Sequence, residues 1–398
     1  MLGSWQSACR DFLMMDSSLD ADIVVIGAGI HGVAVASEAC RRGYRVTVLE
    51  QYDQAARGTS SRSSKLIHGG LRYLESLELS LVHECLGDRR RLLGKYPDLV
   101  KMQKFFIPVY RNSSRSSFLI RLGLSLYALL GGLDSTSRFH KLGKHEWAGL
   151  PRLSKQGLVD VFQYYDAQTD DAALTRRILG EAEDNGVKVI FNACFQSCDS
   201  EGDSLKVVYR QREKDLILEA RYLVNAAGPW VNQVIEKCRP AFSSLPVELV
   251  QGSHVEIPGN TEEGIYYLEA PQDKRAVFVM PWQGHLLLGT TESSHQGDPS
   301  TCQPSPEEID YLLEVYNHYF SEAGEGIGSD KVIDSWAGLR VLPRGDGRPF
   351  SRSRETIFHP NRKHRPNIVS IYGGKLTSHY STALKLLKML DLEGEKTA

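Results

Sequence analysis

The sequence predicts an α/β protein, and two stretches carry that prediction. Residues 22–50 read as strand, glycine-rich turn, helix and strand in unbroken succession. Residues 247–295 hold alternating strand-like runs, among them Ala276–Pro281 and His285–Gly289. A chain of 398 residues is long enough for two domains and a substantial core.

The first stretch is the more informative. Asp22–Ile26 is a short apolar, β-branched run, so a buried strand. Gly27, Gly29 and Gly32 follow at the G-x-G-x-x-G spacing. Ile30–Cys40 then reads as a helix whose small residues Ala34, Ala36 and Ala39 let it lie close to a sheet, and Gly43 ends it. Arg45–Leu49 is a second apolar strand, and Glu50 closes it 23 residues after Gly27. Gly27 permits the tight turn, Gly29 lets the backbone approach a pyrophosphate, and Gly32 lets the helix pack on the strand. The helix N-terminus offers free N–H groups to phosphates, and Glu50 offers acceptors to a ribose. Such a Rossmann-like unit binds a dinucleotide; the fingerprint does not separate FAD from NAD.

Composition sets bounds. Hydrophobic residues make up 41% and charged residues 24%, both ordinary for a globular protein. A net charge of −2 argues against a nucleic-acid partner held by bulk electrostatics. Seven scattered cysteines with no C-x-x-C pair point to thiols in a reducing compartment. No metal-ligand cluster stands out. Residues 1–20 lack the basic start and apolar core of a signal peptide and read as an extension, with Met14 or Met15 as an alternative start. Phe118–Leu133 is the most apolar stretch. It is too short to span a bilayer and carries Arg121, so it reads as an amphipathic helix packed in the protein, with membrane-surface contact as the alternative.

After Glu50, Gly58–Glu75 crowds Ser60, Ser61, Ser63 and Ser64 into one loop suited to phosphate and ribityl hydroxyls. A serine-rich linker accounts for the serines alone, but not for Lys65, His68, Gly69, Gly70, Arg72 and Tyr73 directly behind them. This segment, SSKLIHGGLRYLE, resembles the signature of the FAD-dependent glycerol-3-phosphate dehydrogenases. The resemblance runs from about Asp22 to about Leu390 and includes YYDAQTDDAAL (Tyr164–Leu174), NAAGPW (Asn225–Trp230), QGSH (Gln251–His254), VFVMPW (Val277–Trp282), LLGTTE (Leu287–Glu292), AGLR (Ala337–Arg340) and YGGKLT (Tyr372–Thr377). It implies an FAD-binding Rossmann-like domain of the glutathione-reductase/D-amino-acid-oxidase type with an antiparallel-sheet substrate domain. The expected division is 20–90, 155–240 and 345–398 for the FAD domain, and 91–154 and 241–344 for the cap. The resemblance further implies oxidation of sn-glycerol 3-phosphate to dihydroxyacetone phosphate, with electrons passing to ubiquinone at a membrane. The family usually continues into a helical C-terminal domain beyond the position of Ala398, so a short form is expected. The expected location is cytoplasmic, with at most peripheral contact at the inner face of the cytoplasmic membrane.

The remaining elements follow in order. Leu77–Leu93 reads as a helix. A further helix begins at Asp170–Gly180, capped by Asp170 or Asp171, with Ala172, Leu174 and Ile178 on its buried side. Val187–Phe191 is a strand, Lys206–Arg210 and Leu216–Leu218 a hairpin, and Arg221–Ala226 a buried strand ending at Ala227-Gly228-Pro229. Thr301–Phe320 is a helix preceded by prolines. Ile368–Tyr372 is a strand, followed by Gly373-Gly374 and a helix from about Lys375 to Leu390 whose N-terminus would face a reduced flavin.

Oxidising a secondary alcohol needs a hydride acceptor, here the flavin, and a base or relay for the hydroxyl proton. Histidine titrates in the right range, and among 12 histidines His68 and His254 lie in family-matching motifs. The resemblance makes His254 the base or relay and leaves His68 to touch the flavin or order its loop. A phosphorylated substrate needs fixed cations. Arg72, Arg340, Arg354 and Lys375 match the family's substrate positions, and Tyr73 offers a hydroxyl. Arg340 and Lys375 join His254 as catalytic candidates. The cofactor set is Gly27, Gly29, Gly32, Glu50, Ser60, Ser61, Ser64, Lys65, His68, Ala227, Gly228, Gly374, Leu376 and Thr377. Two alternatives remain open: a related FAD-dependent oxidase or dehydrogenase of another hydroxy acid or amino acid, and a non-catalytic flavin redox sensor.

Overall fold

The structure, a computed structural model, describes residues 19–133, 136–202, 204–261, 263–320, 326–344 and 356–392. The chain opens with β1 (Ala21–Ile26), α1 (Ile30–Cys40), β2 (Val46–Leu49), β3 (Leu66–Ile67), α2 (Leu79–Lys95), β4 (Val100–Tyr110), α3 (Ser117–Leu130) and β5 (His140–Lys141). It continues through β6 (Leu158–Thr169), α4 (Asp171–Asp184), β7 (Lys188–Ile190), β8 (Cys194–Glu201), β9 (Ser204–Gln211), β10 (Lys214–Asn225), α5 (Val231–Glu236) and β11 (Cys238–Arg239). The last part holds β12 (Val247–Ile257), β13 (Ile265–Glu269), β14 (Ala276–Trp282), β15 (His285–Gly289), β16 (Ser293–His295), α6 (Pro306–Phe320), β17 (Asp334–Pro343), β18 (Ile357–Pro360), β19 (Ile368–Tyr372) and α7 (His379–Met389).

Two sheets result, as expected for this fold class. The first runs β11-β8-β9-β10-β1-β2-β7, with β19 on β10 and β18 on β19. Its centre is parallel: β1 lies between β2 and β10, and β19 extends β10. β1 is buried on both faces, which is why it reads as a continuous apolar run. Ile23 and Val25 face the helical layer with Val33 and Ala36 of α1, while Val24 faces Leu205 and Val207. α1 lies against α4 and α7. The second sheet runs β16-β12-β15-β14-β13-β4-β6-β3, with β17 on β12, and is largely antiparallel.

Several expectations change on this frame. β6 pairs along its whole length with β4, so residues 158–169 belong to the second sheet and the boundary expected at 155 falls after Thr169. The separate strands at Leu216–Leu218 and Arg221–Ala226 are one strand, β10. Its first half pairs antiparallel with β9 and its second half parallel with β1 and β19; the partner changes while the backbone runs on. α2 starts at Leu79 because Leu77 adopts a positive φ of 57°. α6 starts at Pro306, where proline suits a first helical position, and residues 299–301 form only a short 3₁₀ turn. Asp170 caps α4 by accepting from Ala173 N–H at 2.9 Å, while Ala172 is only half-buried. α7 starts at His379, so Gly373–Ser378 forms a turn where the helix was expected.

α3 departs most from expectation. Only Leu124, Tyr127 and Ala128 are buried, and Phe118 is 76% and Leu122 56% exposed, with Leu119 and Leu129 beside them. Its outer face is apolar rather than packed in a core. Among the described residues no helix is long and apolar enough to cross a membrane. Residues 1–18, Arg348, Arg352 and Arg354 lie outside the described residues.

Candidate active site

The two sheets meet around a cavity of about 440 Å³, lined from both. One wall is the β1–α1 turn. Gly27 there has φ +98°, and a Cβ on it would lie 2.8 Å from Ala226 O. A Cβ on Gly32 would lie 1.9 Å from Gly27 O, so Gly32 serves helix–turn packing and does not itself line the cavity. Ser60 reaches across to accept from Ile30 N–H at 2.9 Å, at the first turn of α1. Glu50, 6% exposed, accepts from Ala28 N–H at 2.6 Å and Tyr52 N–H at 3.0 Å, which leaves lone pairs on both oxygens. Burial raises its pKa and the backbone donors oppose that.

The opposite wall comes from the end of the chain. Gly373, Gly374, Lys375, Leu376 and Thr377 all line the cavity. Gly374 has φ +96°, and a Cβ there would lie 2.2 Å from Nε2 of His31. Burial and the neighbouring His379 lower the pKa of His31 to about 3, and its buried Nδ1 has no partner. Thr377 Oγ1 accepts from His68 N–H at 3.2 Å, joining this wall to the Gly58–Glu75 segment.

The second sheet supplies the polar side chains. His254 sits within β12, not at a strand end, and its Nε2 lies 2.9 Å from Ser64 Oγ. It stacks on Trp336 with ring centroids 5.8 Å apart. Burial, then the charges of Arg340 and Lys65, lower its pKa to about 3, so the imidazole is neutral at working pH. Its Nδ1 is buried without a partner. A Cβ on Gly289, opposite in β15, would lie 2.1 Å from the ring, so glycine makes the space. Arg340 on β17 donates to Thr290 Oγ1 at 3.3 Å and to Glu292 Oε1 at 3.4 Å. Lys375 Nζ lies 3.6 Å from the Tyr73 ring centroid and 3.7 Å from Cys85 Sγ, and the Arg72 guanidinium lies 5.9 Å from the same ring.

Beneath this wall, Glu308 of α6 ties the middle of β12 to the start of β16. It accepts from Ser253 Oγ at 2.8 Å, Thr291 Oγ1 at 2.6 Å, Ser293 Oγ at 2.7 Å and Gln251 Nε2 at 2.5 Å. These bonds brace β12 just before His254 and the segment just after Thr290.

Gly27, Gly29, Glu50, Ser60, Ser64, His68, Arg72, Tyr73, Ala227, Gly228, His254, Arg340, Gly374, Lys375, Leu376 and Thr377 therefore line one cavity. Lys65 does not. Its Nζ is 2.6 Å from Asp171 Oδ1 and 2.6 Å from Ser61 O, with the side chain 6% exposed, so it ties the loop to α4 instead of facing a cofactor. Ser61 also turns away and donates to Gly58 O at 3.1 Å. His31, Thr290, Tyr267 and Phe278 line the cavity without having been singled out. His31 occupies a variable position of the glycine fingerprint, so spacing alone does not flag it. Tyr267 and Phe278 arrive only through sheet pairing. Among the described residues no group of side chains could hold a metal ion.

The turn at Gly27, the free lone pairs on Glu50, the buried unpartnered Nδ1 of His31 and the side-chain-free cradle at Gly374 fit a bound flavin dinucleotide. Comparison with known proteins agrees. The DAO family, described as FAD-dependent oxidoreductase, matches residues 22–382. The chain is 36% identical over 362 residues to D-erythritol 1-phosphate dehydrogenase of Brucella abortus (strain 2308), covering 90% of this chain and 71% of that protein. It is 36% identical over 375 residues to glycerol-3-phosphate dehydrogenase of Pseudomonas aeruginosa, covering 93% and 71%. The crystal structure of glycerol-3-phosphate dehydrogenase from Bacillus halodurans, complexed with FAD, superposes with a TM-score of 0.72 at 25% identity; the match covers 97% of this chain and 66% of that one. The chain belongs to the DAO family of FAD-dependent oxidoreductases.

Proposed function

We propose that this protein is an FAD-dependent dehydrogenase that oxidises the secondary alcohol of sn-glycerol 3-phosphate to dihydroxyacetone phosphate. One observation carries the reading: a neutral histidine, His254, and the cations Arg72, Arg340 and Lys375 line the same cavity as the dinucleotide seat. When bound, FAD supplies the acceptor for a hydride from the substrate carbon. Arg340 and Arg72 hold the phosphate oxygens with planar donors. Tyr73 and Lys375 orient the alcohol. His254 takes the hydroxyl proton through Ser64, whose Oγ lies 2.9 Å from Nε2 and relays it.

Burial first, and then the field of Arg340, hold the pKa of His254 near 3. A phosphate dianion on Arg340 offsets that field, so substrate binding itself strengthens the base.

A longer phosphorylated polyol is the second reading, favoured by the equal 36% identity to the erythritol-phosphate and glycerol-phosphate enzymes. Anaerobic flavin bleaching with glycerol 3-phosphate, erythritol 1-phosphate and glycerol separates the readings. Bleaching by both phosphates, with none by glycerol, fits the class, and the faster one names the substrate. Arg340→Ala is expected to raise the half-saturating phosphate-ester concentration at least about 10-fold. Bleaching by an amino acid alone refutes the proposal. Electrons then pass to a quinone, and the apolar face of α3 gives weak peripheral membrane contact. Vesicle-bound protein should therefore come off on dilution and mild washing, with little dependence on salt; retention until detergent is added contradicts it.

A further inference from the structure

The edge of the first sheet holds a second chemistry. Cys198 of β8 and Cys238 of β11 are register partners in a parallel pair, so their side chains leave the same face of the sheet. Both are fully buried. Parallel neighbours stand about 4.7–4.9 Å apart, inside the Cα separation of about 4.4–6.8 Å that a disulfide spans. Among the described residues all cysteines are free thiols, and no other two face each other across strands.

We propose that Cys198 and Cys238 form a reversible disulfide, an oxidative modification site that pins the cavity wall. The wall lies on both sides of the pair. Phe195, three residues before Cys198, and Lys237, next to Cys238, both line the cavity. Lys237 Nζ already donates to Phe195 O at 3.3 Å, and Cys198 N–H donates to Lys237 O at 3.2 Å. A covalent link beside these bonds holds the α5 end against β8.

The two sulfurs are unequal. Cys238 lies in the short edge strand β11, so local opening exposes it first and it supplies the thiolate. A low-molecular-weight disulfide such as oxidised glutathione is the oxidant. The Cys238 thiolate attacks one of its sulfurs, the glutathione S–S bond breaks, and one glutathione thiolate leaves and is protonated. Cys198, on losing its proton, attacks the mixed disulfide at Cys238 and expels the second glutathione. Two protein thiols lose two electrons and two protons, and one disulfide becomes two thiols. Access comes through β11, a two-residue strand at the sheet edge whose local opening exposes both sulfurs.

The test uses the FAD-loaded protein incubated with oxidised glutathione, then alkylated in denaturant and digested without reduction. The expected product is one cross-linked peptide pair holding Cys198 and Cys238, lighter by two hydrogens than the sum of its thiol forms and lost on treatment with dithiothreitol. Thermal unfolding of the oxidised protein should rise by a few degrees and FAD release should slow several-fold, with neither change in Cys238→Ser. Recovery of both residues fully alkylated, with glutathione only on exposed Cys194, overturns the proposal, as does a cross-link to any other cysteine.

Discussion

Replacing Gly32 with alanine tests whether the close approach of α1 to the first turn makes the cofactor seat. The added Cβ would lie 1.9 Å from Gly27 O, 3.1 Å from Gly27 C and 3.4 Å from the Ala226 Cβ. Non-bonded contacts settle near 3.5 Å, so helix and turn must separate by roughly 1.6 Å. Neither side yields easily. Gly27 already abuts Ala226 O, and α1 is backed by α4 and α7. Overpacking of this kind costs about 1–3 kcal/mol, and the upper end applies because the clash is with backbone. The same displacement moves the N–H groups of the first helical turn away from where phosphates sit. Thermal unfolding of the apoprotein and titration with FAD measure the two effects. Expected are a lower Tm and at least about a tenfold loss of FAD affinity, equivalent to about 1.4 kcal/mol. Gly180→Ala is the control: within α4 its Cβ would meet nothing within 4 Å, and stability should rise by about 0.5–1 kcal/mol. A Gly32→Ala protein with unchanged Tm and unchanged FAD affinity refutes the reasoning.

Three further outcomes follow from the same structure. His254→Ala should slow the limiting rate of anaerobic flavin reduction by roughly 10² to 10⁴ while leaving substrate affinity nearly unchanged; an unaltered stopped-flow rate removes His254 as the proton acceptor. Asp171→Asn strands the buried Lys65 ammonium and should cost about 3–5 kcal/mol in urea unfolding, most of it recovered in the double variant Lys65→Met/Asp171→Asn, which keeps an acceptor oxygen for the Ser63 donors; equal stabilities of single and double variants contradict the pairing. His31 and His254 have pKa values near 3 and His379 near 4, all below the unfolded value of about 6.5. The unfolded chain therefore binds protons first as pH falls, and stability present above about pH 6.5 declines towards pH 4, by about 2 kcal/mol for each histidine at pH 5. Urea midpoints that stay level from pH 7.5 to pH 5 would show these rings protonated in the fold.

What the sequence determined by itself is local. The β1–α1–β2 unit and its acid follow from glycine spacing and apolar runs, because a tight turn, a close helix and a buried parallel strand each demand particular residues at adjacent positions. α1 was legible to the residue, and Ile368–Tyr372 as well. The candidate residues were drawn from motifs, and most of them line the cavity. What the tertiary structure alone decided is partnership. Lys65 looked like a cofactor ligand because its neighbours are, yet a positive φ of 59° turns it to Asp171, a residue 106 positions away. β10 was divided in two because its partners change midway, which no local pattern records. α3 shows the same limit: its apolar period marks a helix, but whether a leucine faces a core or solvent depends on what packs against it. Distant chain segments choose the face, and the free energy of burial belongs to the pair of surfaces rather than to either one.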